Sequence, residues 1–271
     1  MMSSYKEYFS SILEGSLLSD KLHVEPFEWD QWSEYSLPKL PARDEKIKIS
    51  SEQLKFPKKE NLHLVEKKAL ALHSFANHEL LAIEMMAAAI LAFPHKTPED
   101  IRIKNGIFSA LKDEQKHFSL YVERLNELGF EFGDFPLNDF FWRQMPSIKN
   151  MSQYFAVMAL TFEAANLDFA QYYRNIFLSL DDPKTAGILD IVLEDEISHV
   201  ALGSYWLKKW RQDKSLWQYY MDSLPFPLTP ARSRGIGFDP LIHGKAMTDD
   251  NFMLELQKYE DSFHVTKRRA R

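Results

Sequence analysis

The chain has 271 residues, 45% hydrophobic, 27% charged and 14% aromatic, with a formal net charge of −6. That length suits one large domain with additions, and the acidic balance excludes a protein that grips nucleic acid through overall charge. With no cysteine, disulfides, zinc fingers, thiolate-bound iron–sulfur clusters and thiol catalysis are excluded as well.

A short helix is expected at about 4–14. The opening MMSSYKEYFSSILEG lacks the basic start and apolar run of a secretory signal. Residues 20–60, with Pro26, Pro38, Pro41 and Pro57, read as an extended wrap. Four long helical patterns follow. The first spans about 62–93 and stops at Pro94. Thr97-Pro98-Glu99-Asp100 then supplies an N-cap, a first-turn proline and acids for a second helix ending near Leu128 and Gly129. A Phe-rich connection, GFEFGDFPLNDFFWRQMPSIKN, leads to a third helix over 151–180. Asp181-Asp182-Pro183 turns into a fourth that reaches Trp210. Beyond 211 come a short helix, the loop LPFPLTPARSRGIGFDP, a last helix near 248–262 and a solvated basic tail, KRRAR. No strand-rich region is expected. No apolar run approaches about 18 residues, so no membrane partner is expected either.

Hairpin, long connection, hairpin is the order of an all-α, ferritin-like four-helix bundle with one long crossover. The expected division is an N-terminal helix and wrap over 1–60, the bundle over 61–211, and a C-terminal extension over 212–271 packing on the bundle. A cytoplasmic location is expected.

Steps of three and four residues trace one face of a helix. On the first helix that face reads Leu72, Ala76, Glu79, Ile83, Met86, Ile90, and on the third Ala156, Leu160, Glu163, Leu167, Ala170. The second gives Ile107, Ala110, Glu114, His117, Tyr121, Leu125, and the fourth Leu189, Val192, Glu196, His199, Gly203, Trp206. Each stripe is apolar except for one Glu on the first and third and a Glu–His pair on the second and fourth. An unpaired buried carboxylate costs several kcal/mol, so four of them need a shared compensation, which two divalent cations supply. One Glu from each of two helices plus Glu-x-x-His from each of the other two is the ligand set of di-iron and di-manganese bundles. Depth agrees. At roughly 1.5 Å per residue, Glu79 and Glu114 lie about 22–24 Å from their turn, and Glu163 and Glu196 about 27 and 20 Å from theirs.

The halves also repeat. DEQKH (113–117) and DEISH (195–199) share an aspartate four residues before the histidine. A metal-bound histidine commonly donates its second ring N–H to a carboxylate, which assigns that part to Asp113 and Asp195. A third Glu-x-x-His, Glu60 to His63, lacks this context and reads as background. Glu84, Asp168 and Glu194, off the main stripes, read as surface or interhelix charges. His78 should point sideways. Tyr121 is a candidate pocket residue whose plainer reading is core.

FANHELLAIE (75–84), DEQKH, LTFEAANLD (160–168), DEISHV, NDFFW (138–142) and TPARSRG (229–235) resemble the ferritin-like family called domain of unknown function 455. The resemblance covers about 60–245. It implies the wider superfamily of rubrerythrins, bacterioferritins, soluble methane monooxygenase and a tRNA-modifying hydroxylase, whose metal-ligand pattern matches Glu79, Glu114, His117, Glu163, Glu196 and His199. It implies no substrate.

The favoured expectation is a di-iron oxidase or oxygenase using O₂, an organic substrate and a separate electron donor. The alternatives are a ferroxidase or iron-handling protein, and a di-manganese enzyme disproportionating peroxide; the expected cofactor is two iron ions, with manganese or a mixed iron–manganese pair as the alternative. A tRNA substrate is a sub-case of the first. The net charge counts against it, and KRRAR, Arg232 and Arg234 support it weakly. A homodimer is compatible with the sequence. The Arg232/Arg234 loop is expected either to gate a pocket for an anionic substrate or to clamp the bundle.

Overall fold

Helix capping decides where the long elements of this computed structural model begin. Residues 3–52, 54–247 and 249–261 are described. They form two compact units that divide between Met145 and Pro146, inside the Phe-rich connection.

In the first unit, α1 (Tyr5–Glu14) opens with a capping box. The Ser4 hydroxyl accepts from Glu7 N–H, and the Glu7 carboxylate accepts from Ser4 N–H. Its buried Phe9 joins Phe27, Trp29 and Phe108 in an aromatic cluster. α2 is a short helix, Leu18–Leu22. Among the described residues strand is confined to Ser3–Ser4 paired with Phe27–Glu28. The chain then enters α3 (Val65–Ala92), which is buried on every side from Glu79 to Leu91. By length and hydropathy α3 passes as a membrane span, yet 83% of the qualifying window is buried within the protein, as befits a core helix. The Thr97 capping box with Asp100, and Pro98 in the first turn, start α4 (Pro98–Glu127). Just past its end stands Gly129, whose φ of 83° is cheap only for glycine. Near the α3–α4 turn the buried Lys104 donates to Ile90 O and His95 Nδ1, and burial lowers its pKa to about 7.

His73 on α3 accepts a hydrogen bond from Gly133 N–H through Nε2 at 3.0 Å and stacks on Phe132. Burial lowers its pKa to about 4. Between pH 4 and 6.5 the unfolded chain therefore carries a proton that the folded one rejects. Its stabilisation is complete above pH 6.5 and is lost as pH falls toward 4, by up to about 3 kcal/mol. His73→Gln keeps an acceptor and removes the titration. Urea unfolding over this range should show a shallower acid loss for the variant, and parallel profiles would refute the assignment.

In the second unit, Asn150 caps α5 (Met151–Val157) by accepting from Gln153 N–H. The expected single third helix is instead α5, a π-helical segment Met158–Glu163, and α6 (Ala164–Ser179). Asp182 caps α7 (Pro183–Trp210), with Pro183 in its first turn. Gly203 lets α7 approach the π segment: a Cβ there would lie 2.3 Å from the Ala159 Cβ. α8 (Leu216–Ser223), α9 (Pro240–Met247) and α10 (Asp250–Lys258) follow. The sequence pattern does not anticipate α9, which occupies the end of the Pro/Arg stretch and packs on α7. KRRAR lies outside the described residues.

Candidate metal centre

α3 and α4 form an antiparallel hairpin whose packing brings Glu79, Glu114 and His117 together. One ligand atom from each lies within 4.8 Å of the other two, and all three residues are buried. The three-residue spacing on α4 stacks His117 over Glu114, with Nδ1 3.4 Å from Oε2.

The second unit repeats the pattern. Glu163, at the end of the π segment, shares a 4.8 Å neighbourhood with Glu196 and His199 of α7, and all three are buried. His199 Nδ1 is 3.5 Å from Glu196 Oε2. Asn166, one turn past Glu163, donates to Glu196 Oε1 at 2.7 Å and fixes that carboxylate. The sequence reading does not single out Asn166. Its position three residues from Glu163 is the signal that could have found it. Each unit thus assembles two carboxylates and one imidazole, a hard donor set suited to iron or manganese.

The residues around these triads take distinct parts. His78 stacks on Phe141 at 5.1 Å, sideways as expected, and Asn77 beside it donates to Asn138 O, so NDFFW is pinned to α3 next to Glu79. Trp142 of the same motif donates to Lys39 O. Tyr121 is buried against Phe75 and reads as core. Glu194 is exposed. Asp113 is half-buried, 3.8 Å from Lys116, and Asp195 is half-buried. Glu60 and His63 close an exposed turn, with His63 Nδ1 2.8 Å from Glu60 O.

Of the two alternatives read for Glu84 and Asp168, surface or interhelix charge, the structure gives the second, with both side chains buried. Glu84 is fully buried and takes a two-pronged hydrogen bond from Arg43 at 3.1 and 2.7 Å, with Lys21 Nζ 3.5 Å away. Lys21 also donates to Ile12 O. Its burial lowers its pKa, and the Glu84 carboxylate draws it back up. Asp168 is buried and accepts from Gly235 N–H and Asp239 N–H, with His243 Nε2 3.1 Å away. Both acids have partners more than 40 residues away, which helix periodicity does not reveal. Arg234 donates to Gln257 O and Tyr259 O at the end of α10, so it ties together two parts of the C-terminal extension and not the extension to the bundle helices.

A family model described as "Protein of unknown function (DUF455)" matches residues 4–236. The chain belongs to the DUF455 family. It is 30% identical over 144 residues to an "Uncharacterized protein" of Haemophilus influenzae (strain ATCC 51907 / DSM 11121 / KW20 / Rd). That match covers 51% of this chain and 50% of the relative, so the chain spans about half the length of the curated relative it matches. No solved structure matches. The DUF455 match takes in both triads and TPARSRG.

Proposed function

We propose that the two triads are halves of one dinuclear centre in a ferritin-like four-helix bundle, and that this DUF455 protein is a non-haem di-iron oxidase or oxygenase. The observation that carries the reading is the duplication: each hairpin places one carboxylate within 4.8 Å of a Glu–His pair, and all six side chains are buried in the folded chain. Two like-charged carboxylates buried this closely repel each other, and divalent cations offset both the repulsion and the loss of water.

Glu79, Glu114, His117, Glu163, Glu196 and His199 would hold the ions. With metal bound, Asp113 and Asp195 would accept the second ring N–H groups of the ligating histidines and orient the imidazoles. Two bound irons would supply the reduction of O₂ that oxidises an organic substrate. A separate donor provides the electrons that take the second oxygen atom to water. The apolar residues around the triads exclude water from the reacting groups. The π segment ending at Glu163 supports the reading, since such segments are frequent at functional sites.

Metal analysis of protein purified without added metal, with optical spectra of the reduced protein before and after O₂, tests the proposal. Two irons per chain and a new near-ultraviolet absorption on exposure to O₂ are expected. Manganese with peroxide breakdown would establish the di-manganese alternative. A large hollow oligomer retaining mineral would establish iron handling, and no bound metal would end all three.

A further inference from the structure

TPARSRG, like NDFFW, supplies no metal ligand, and its contacts lead toward Glu163. A carbonyl oxygen can only accept, so the Thr161 hydroxyl, 2.7 Å from Ala156 O, donates its one proton there. The Tyr220 hydroxyl, 2.8 Å from Thr161 Oγ1, must then donate to Thr161. The phenol oxygen in turn receives the proton of Ser233 Oγ at 2.6 Å. Three hydroxyls therefore run in one direction, from Ser233 through Tyr220 and Thr161 to the Ala156 carbonyl. Thr161, Tyr220 and Ser233 are all fully buried. Burial pushes the Tyr220 phenol up to about 12, so it keeps the proton that the chain requires.

The same segment also grips the helix beyond Glu163. Gly235 N–H donates to Asp168 at 2.8 Å, and a Cβ on Gly235 would sit 2.7 Å from Ala165 O. Ser233 thus acts through Tyr220 on the position two before Glu163, while Gly235 closes on the backbone two after it and bonds the side chain five after it. The Thr161 hydroxyl reaches the carbonyl five residues back, a side-chain bond with the same i to i+5 span as the backbone bonds of a π-helix. Relaxing that stretch to ordinary α-helix would turn Thr161 away from Tyr220, and would turn Glu163 with it.

We infer that Thr161, Tyr220 and Ser233 are positioning residues: the TPARSRG segment holds the π turn through their hydroxyls and so aims Glu163 at the point shared by Glu196 and His199. This rests on the metal reading proposed above.

Cobalt(II) titration of the metal-free full chain, read by calorimetry and by the visible ligand-field spectrum, provides the test. Tyr220→Phe and Thr161→Val keep shape and lose one hydroxyl each. Both should weaken Co²⁺ binding about 10- to 100-fold, the usual effect of removing a group that orients a ligand, and should change the spectrum. Thr161→Ser restores the hydroxyl and should restore affinity and spectrum. Ser233→Ala, at the far end of the chain of hydroxyls, should act in the same sense and carries the test if Tyr220→Phe does not fold. Wild-type affinity and spectrum in Tyr220→Phe and Thr161→Val, with only lower melting temperatures, would overturn the inference and leave the metal reading standing. Failure of the wild-type chain to take up Co²⁺ would overturn both.

Discussion

Glu114→Ala is expected to lose both metal ions, and His199→Ala to retain at most one, when anaerobically iron-loaded protein is analysed for metal. Removing a direct ligand should exceed the 10- to 100-fold loss typical of removing an orienting group. The pair is informative because Glu114 and His199 belong to different hairpins. In one dinuclear centre, damage to either hairpin is felt by both ions. In two separate mononuclear sites, Glu114→Ala would leave the ion of Glu163, Glu196 and His199 at full affinity. Two irons per chain in both variants would refute the ligand assignment itself. Far-ultraviolet circular dichroism of the metal-free variants should match wild type, since alanine is a strong helix former at positions inside long helices.

Glu84→Leu should destabilise the protein by about 3–5 kcal/mol, the usual consequence of deleting one member of a buried ion cluster. Glu84 faces both Lys21 and Arg43, and all three side chains are buried. Its loss strands two buried cations in a medium that solvates them poorly. At about 2–4 °C per kcal/mol the melting temperature should fall by roughly 10 °C. Urea unfolding measures the effect. A change below about 1 kcal/mol would show that Lys21 and Arg43 reach water when Glu84 is gone. Adding Lys21→Met and Arg43→Leu should recover most of the loss, because an apolar replacement of a whole buried cluster is often neutral.

Helix positions are legible in the sequence because their signals are local. Ser4, Thr97, Asn150 and Asp182 each begin a helix by side-chain capping, and prolines stand in the first turns of α4 and α7. The triads are legible for a related reason. An acid on an apolar stripe is conspicuous, and a duplicated Glu-x-x-His with a preceding aspartate is more so. The π segment is not legible, because its cause lies outside its own residues. It depends on Tyr220 bonding Thr161 and on Gly203 admitting the Ala159 methyl. The burial of Glu84 and Asp168 is hidden in the same way. Their partners, Arg43 on one side and Gly235 and Asp239 on the other, are distant in the chain.

Read alone, the chain specifies an all-helical protein, the ends of its four long patterns, and six candidate ligands in two equal sets. Those follow from periodicity, capping and the cost of burying charge, all of which act within a few turns. The folded arrangement is needed to learn that Glu84 is balanced by Lys21 and Arg43, that Asn166 steadies Glu196, and that TPARSRG connects to the Glu163 turn through three hydroxyls. Each depends on which distant backbone passes within about 3 Å, the range over which a hydrogen bond acts, and a pattern confined to one helix carries no record of that.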